Sequence, residues 1–315
     1  MKVQETCRVC GSARLSIACD RIRGDIACDV LRCEDCGLTF LPSDYFDPKA
    51  LAELYRDNYA YVPTLGAMVD SERDPYRFKA DKIAQYLDPS HTALLEVGTG
   101  AGLFLRAVKG RVKRLEGVEL ANGQREYCET TYQVPVHGKP IEEIDFTAPF
   151  DVVCSFQVLE HVPDPVPFLK RLMHFVKPGG ILYVDVPNGD NALTALYKIE
   201  EYKRFFYRRQ HLFNHTRKSL ELLLRRAGFE NFNIWTDQYY SLSNHLLWGA
   251  SRKPQATLAD AYSFLPPGPL GGASPVETEM AAFFERTDRE YRAILERNDF
   301  GDTISAIIAK PQSSS

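Results

Sequence analysis

From Leu94 to Gly102 the chain reads Leu94-Leu95-Glu96-Val97-Gly98-Thr99-Gly100-Ala101-Gly102, a continuous apolar run that enters a turn with glycine at every second position. Such a run is a buried strand, and the glycines set a tight turn at the strand's carboxyl end, where open α/β sheets bind their ligands. A dinucleotide fingerprint, G-x-G-x-x-G, needs its third glycine one residue later than Gly102. The alternating Gly98, Gly100 and Gly102, with Glu96 two residues ahead, flatten the loop for a nucleoside and an amino-acid tail. A dinucleotide loop instead lays a pyrophosphate on a helix N-terminus.

The sequence around that turn alternates strand and helix patterns. Strands are expected over 94–97, 114–120, 134–136, 151–156 and 180–186, with helices over 103–108, 124–131, 165–176 and 219–227 between or after them. This alternation predicts a parallel sheet with helices on both faces. Asp74-Pro75 reads as a helix start with Phe78, Ile83, Tyr86 and Leu87 on its apolar face. Late in the chain, strands are expected over 232–240 and 303–309, with a helix near 276–297.

The chain has eight cysteines. Cys7-Arg8-Val9-Cys10-Gly11 and Cys33-Glu34-Asp35-Cys36-Gly37 repeat one knuckle pattern and resemble a zinc ribbon. Two thiolates spaced C-x2-C turn back onto one ion, and a second knuckle completes a closed tetrahedral Zn2+ site with no open position, which is structural. The residues between the knuckles read as short ribbon strands that depend on the metal. Cys19 and Cys28 lack the spacing and fit a core role. A tyrosine-rich stretch with Tyr55, Tyr59 and Tyr61 follows and reads as a connector or lid.

With 44% hydrophobic and 25% charged residues in 315, the chain can bury a full core. Its formal net charge of -4 gives no global attraction to nucleic acid. The start of the chain lacks a signal-peptide pattern, and no stretch approaches the ~20 apolar residues of a membrane span, so a cytoplasmic location is expected.

Glu119 ends the second strand of the α/β region, where a carboxylate accepts both hydroxyls of a ribose. Asp145, beside Phe146, is placed to meet an adenine amino group. Glu96-x-Gly98-x-Gly100-x-Gly102, Glu119, Asp145, the run from Phe150 through Phe156-Gln157-Val158-Leu159-Glu160-His161-Val162, and Val176-Lys177-Pro178-Gly179-Gly180 together resemble a class I S-adenosylmethionine-dependent methyltransferase. The resemblance implies a Rossmann-like α/β fold with a seven-stranded sheet whose last strand, here 301–310, is inserted antiparallel. It also implies a cofactor site at Glu96, Gly98, Gly100, Gly102, Glu119, Leu120, Asp145, Phe156 and Gln157.

A narrower resemblance rests on the four-cysteine domain, the tyrosine-rich connector, Glu160-His161 and Gln210-His211-Leu212-Phe213-Asn214-His215-Thr216. These are similar to the branch that includes deoxysugar C-methyltransferases and related small-molecule methyltransferases, although the large C-terminal domain of the sugar enzymes is not matched. That branch implies a histidine general base with a tyrosine a few residues before it, which falls here on His211 and Tyr207, with His161 as a competitor. Imidazole suits the task because its unperturbed pKa lies near neutrality. His215 reads as structural, beside Thr216 as the cap of the next helix.

The expected organisation is a zinc ribbon over 1–42, a connector or lid over 43–75, a methyltransferase domain over 76–310 and a disordered tail over 311–315. The expected function is methyl transfer from S-adenosylmethionine to an oxygen, nitrogen or carbon nucleophile of a small molecule or glycan, without membrane insertion. An RNA methyltransferase is disfavoured because the ribbon's Arg8, Arg14, Arg21, Arg23 and Arg32 are offset by Asp20, Asp25, Asp29, Glu34 and Asp35. A non-catalytic cofactor-binding protein and a dinucleotide oxidoreductase are the other rivals.

Overall fold

A computed structural model describes residues 5–47, 74–256, 260–261 and 274–312. Tyr55, Tyr59 and Tyr61 of the expected lid lie outside the described residues. Leu15–Ile22 (β1) and Ile26–Cys33 (β2) form an antiparallel hairpin, and β2 pairs with Thr39–Phe40 (β3). The hairpin buries Cys19, Cys28, Val30 and Ile22, a small core for so many charged neighbours.

Pro75–Lys82 (α1) opens the main region, with Asp74 accepting from the Tyr76 amide at 2.9 Å as its N-cap. Its buried face differs from expectation. Phe78 is 46% exposed, while Lys79, Ala80 and Ile83 are buried. Lys79 turns inward because its ammonium meets the buried carboxylate of Asp185 at 2.5 Å and lies over the Phe156 ring, 4.6 Å from its centroid. An ion pair, invisible to hydrophobic periodicity, thus decides which side of the helix faces the sheet.

Next come Ala93–Val97 (β4), Leu103–Val108 (α2), Arg114–Val118 (β5), Asn122–Tyr132 (α3), Val136–His137 (β6), Phe150–Phe156 (β7), Pro165–Phe175 (α4) and Val176–Pro187 (β8). Every residue of β4 is buried because β5 and β7 pair with it in parallel on either side. Helix α4 presses Phe168, Leu169, Leu172 and Phe175 onto the sheet, each worth roughly 1.5–3 kcal/mol of burial.

Glu200–Phe206 (α5), Phe213–Asn214 (β9), Arg217–Arg226 (α6), Phe232–Asp237 (β10), Leu242–Ser251 (α7), Pro275–Arg297 (α8) and Thr303–Ala309 (β11) complete the chain. The large sheet has seven strands in the order β10-β11-β8-β7-β4-β5-β6, with β11 antiparallel to both neighbours. The strand expected over 232–240 stops at Asp237, where Tyr239 and Tyr240 turn their amides to the Asp302 carboxylate, both at 2.8 Å. Thr216 caps α6 in a capping box with Ser219.

The ribbon does not end at its own hairpin. Strand β3 pairs antiparallel with β9, so the small sheet runs β1-β2-β3-β9 and takes its last strand from the main region. Among the described residues no helix is long and apolar enough to cross a membrane.

Replacing Lys79 with methionine leaves Asp185 buried without its cation. Urea unfolding of Lys79→Met is expected to show a loss of about 3–5 kcal/mol, and a loss below about 1 kcal/mol would mean that the pair is incidental.

Candidate active site

The carboxyl ends of β4, β5 and β7 open onto one cavity of about 610 Å³. The β4–α2 turn forms one wall. Gly98, at φ +85°, cannot carry a side chain because a Cβ there would run into Val158. Gly98 and Gly100 line the cavity, whereas Gly102 does not. A Cβ on Gly102 would sit 2.7 Å from the Cys128 sulfur and 2.9 Å from the Tyr132 ring, so this glycine lets α2 lie against α3.

Glu119 staples that turn to the end of β5. Its carboxylate accepts from the Gly100 amide and from the Ala121 amide, each at 2.8 Å. Burial lifts its carboxyl above the ordinary range against the pull of those amides. Glu96 is buried deeper, with Oε2 lacking a hydrogen-bond partner, and burial raises it strongly while Lys79 draws it down. Leu120, 40% exposed, lies on the same rim.

The wall after β6 differs from expectation. Asp145 is outside the cavity lining, with a side chain 94% exposed and paired with Arg171 at 2.9 Å. Pro140, Ile141 and Glu142, in the first turn after β6, line the cavity instead. Tyr76 and Gln124 also line it and were not singled out in the sequence. Position alone could have pointed to them, since Gln124 lies in the first turn of α3 and Ile141 in the first turn after β6.

At the end of β7, Phe156 and Gln157 face the cavity. Gln157 adopts φ +55° and is held there by Asp185, whose Oδ1 accepts from the Gln157 amide at 3.1 Å and from its side-chain nitrogen at 2.9 Å. The ion pair that seats α1 therefore also sets a cavity residue.

His161 lines the cavity beyond Gln157. Its Nδ1 lies 2.7 Å from the Gln210 carbonyl. A carbonyl only accepts, so Nδ1 carries the proton of the neutral ring. His211 stands edge-on to it, with ring centroids 4.9 Å apart. The ligand atoms of Glu160, His161 and His211 all lie within 4.8 Å of one another.

Burial drives all three towards their neutral forms: the Glu160 carboxyl is pushed up to about 8, His161 down to about 4, and His211 well below the usual imidazole value. Arg208 lowers both imidazoles further. His211 is 8% exposed and is not part of the cavity lining itself. Tyr207 is also outside the cavity lining: its ring is buried, its hydroxyl bonds with Thr39 of the ribbon, and burial raises it to about 12.

Cys7, Cys10, Cys33 and Cys36 converge in the ribbon, with all four Sγ atoms within 4.8 Å of one another. Cys7 and Cys36 approach to 3.5 Å and Cys10 and Cys33 to 3.4 Å. The hydrogen bond shared by Cys7 and Cys36, in which either sulfur can donate, draws the two thiol pKa values apart, lowering one and raising the other. Cys19 and Cys28 are buried elsewhere in the hairpin.

Residues 70–234, just over half of the chain, match the family described as the methyltransferase domain. A ubiquinone biosynthesis O-methyltransferase of Xylella fastidiosa (strain 9a5c) is 29% identical over 161 residues, which are 48% of this chain and 65% of that protein. A counterpart from Bordetella avium (strain 197N) is 29% identical over 170 residues, 48% of this chain and 70% of the relative. The match to the first thus spans less than two thirds of its length.

Among solved structures, the S-adenosylmethionine-bound CalS10, an amino pentose methyltransferase from Micromonospora echinaspora, aligns at TM-score 0.32 and 25% identity over 38% of this chain and 52% of its own. A SAM-dependent methyltransferase from Archaeoglobus fulgidus aligns at TM-score 0.45 and 18% identity over 77% and 96%. With the seven-stranded sheet, its antiparallel β11 and the glycine turn at the cavity, the family match has one conclusion: this chain belongs to the methyltransferase domain family, whose class I members are S-adenosylmethionine-dependent.

Proposed function

We propose that this chain transfers the methyl group of S-adenosylmethionine to an oxygen, nitrogen or carbon nucleophile of a small molecule, such as a sugar, a glycan or a natural-product intermediate, with a histidine as general base. The observation that carries the reading is one cavity bounded at one end by the Gly98–Gly100 turn and Glu119 and at the other by His161. The residues fit the cofactor: the Glu119 carboxylate keeps acceptor capacity for ribose hydroxyls beyond its two amides, and the turn leaves backbone open to the amino-acid part.

When bound, S-adenosylmethionine supplies an electrophilic methyl group to the incoming nucleophile, which gains the C–N, C–O or C–C bond while sulfur keeps the electron pair of the broken C–S bond. The chain's own work is positioning and proton removal. Leu120, Ile141 and Glu142 bound the place for a base; Gln157 and His161 bound the place for the acceptor. A neutral imidazole can take a proton, and the low pKa of His161 keeps it neutral at physiological pH. His211 rests against that ring and either takes the proton in its place or fixes its orientation.

The four cysteines act as a closed, structural Zn2+ site, kept reduced in the cytoplasm. The ribbon's arginines favour a small acceptor over RNA, since they are engaged within the protein: Arg14 pairs with Asp35, Arg21 with Asp25, Arg32 with Asp190, and Arg8 lies over Phe46.

Calorimetric titration with S-adenosylhomocysteine should show binding that Glu119→Ala weakens by about tenfold or more, roughly 1.4 kcal/mol; equal affinity in the variant would sink the cofactor assignment. In a screen of sugar nucleotides, glycans and natural-product acceptors with labelled donor, His161→Gln or His211→Gln should cost about 10²–10⁴ in turnover. Full turnover in both would remove the histidine base.

The buried acid gives a separate pH signature. Folded Glu160 keeps its proton up to about pH 8, whereas the unfolded carboxyl releases it near 4.5, so stability falls as pH rises through that window. His161 acts oppositely, binding its proton near 4 when folded and near 6.5 when unfolded, so it costs stability as pH falls from 6.5. Between these two groups, only Glu160 acts from pH 6.5 to 8. Urea midpoints should fall over that range in the wild type and less in Glu160→Gln, and parallel slopes would show that Glu160 ionises normally.

A further inference from the structure

The segment that carries His211 is held mostly by the ribbon. Residues 207–216 contain only the two-residue strand β9, too short to be stable by itself. The ribbon brackets His211 with backbone hydrogen bonds: the Arg23 amide donates to the Tyr207 carbonyl at 2.8 Å on one side, and the Leu41 amide to the Leu212 carbonyl at 3.0 Å on the other. Strand β3 then pairs with Phe213 and Asn214.

The second cysteine knuckle reaches the end of the same segment. The Thr216 hydroxyl donates to the Cys36 carbonyl at 2.8 Å while accepting from the Ser219 amide at 3.2 Å, so one oxygen joins a cysteine backbone to the cap of α6. A Cβ on Gly37 would lie 2.9 Å from the Thr216 methyl. The first knuckle hydrogen-bonds instead to the far end of α6, where Arg226 donates to the Arg8 and Val9 carbonyls, both at 2.6 Å, and it reaches Phe213 through the Phe46 ring that lies beneath Arg8.

We propose that the second knuckle is a positioning device for the acceptor side of the cavity: through Cys36, Gly37 and Thr216 it sets where the 207–216 segment places His211 against His161. The proposal deepens the reading of His211 as part of the base, on which it rests, and gives the metal site a mechanical task. The cofactor end is built from the β4–α2 turn and the end of β5, so the device acts on the acceptor end alone.

Two glycines give the test its internal control. Gly11 and Gly37 occupy equivalent places in the two knuckles, both at φ +77°, so alanine imposes the same backbone strain at each. A Cβ on Gly11 meets nothing within 4 Å, while one on Gly37 meets Thr216. The zinc-loaded full chain is labelled on histidine ring carbons, with the His161 and His211 signals assigned through His161→Gln and His211→Gln, and amide exchange is followed over 207–216.

Gly37→Ala is expected to move the His211 ring signal and to speed exchange over 207–216 by about tenfold, while Gly11→Ala leaves both unchanged. Both should keep their zinc and bind S-adenosylhomocysteine within about twofold of the wild type. Should Gly37→Ala fail to fold or lose zinc, Thr216→Ser and Thr216→Asp replace it: both keep an N-cap acceptor, but only serine can donate to the Cys36 carbonyl. The aspartate variant should then move the His211 signal and the serine variant should not.

An unmoved His211 signal in zinc-bound Gly37→Ala, an equal shift in Gly11→Ala, or no difference between the Thr216 variants would overturn the proposal. None of these readouts uses turnover, so a failure of His211 as base would show separately in the His211→Gln assay.

Discussion

The pairing of Thr39 and Phe40 with Asn214 and Phe213 decides how the two halves of the chain relate. A small four-cysteine hairpin has little apolar surface of its own, and a metal can supply its folding free energy. Here its open edge is also closed by a strand from the methyltransferase region, which removes an exposed edge and joins the two cores. Buried residues of the hairpin, including Val30 and Phe40, belong to one apolar cluster with Leu212, Leu220 and Leu223. The ribbon is therefore part of the wall behind the histidines.

A second constraint runs under the cavity. Lys79 and Asp185 are both buried, and Asp185 also fixes Gln157 in a left-handed conformation. A buried ion pair contributes little net stability relative to apolar packing, but it is strongly directional and costly to break. Its value here is geometric, since one carboxylate seats both a helix and a cavity residue.

Much of the sheet was legible because it depends on local pattern. Leu103–Val108 and Thr303–Ala309 form at the residues expected, since a mostly apolar segment after a glycine turn and a short apolar run rich in Ile and Ala carry their own local signal. Features fixed by distant partners were not legible. Phe78 lost its buried place to Lys79 because of an aspartate on β8, and Asp145 pairs with Arg171 outside the cavity while Ile141 and Glu142 line it. Strand β9 has only two residues, and no window of sequence shows that its partner is β3. Tyr207 was chosen by its nearness to His211 in the chain, yet a distant partner holds it, since its hydroxyl bonds with Thr39 of the ribbon.

The same burial has opposite meanings at the two ends of the cavity. At the histidine end it removes charge, leaving neutral imidazoles beside a protonated acid, which is the state in which an imidazole can accept a proton. At the glycine-turn end it raises the Glu96 and Glu119 carboxyls, and Glu96 keeps an oxygen without a partner. A carboxyl raised by burial is one whose ionised form lacks compensation, and a cation or a set of hydroxyl donors supplies it. S-adenosylmethionine carries both, whereas a dinucleotide would bring further negative charge towards the same two acids. The acids around the turn thus argue for the methyl donor on electrostatic grounds that are independent of the glycine spacing.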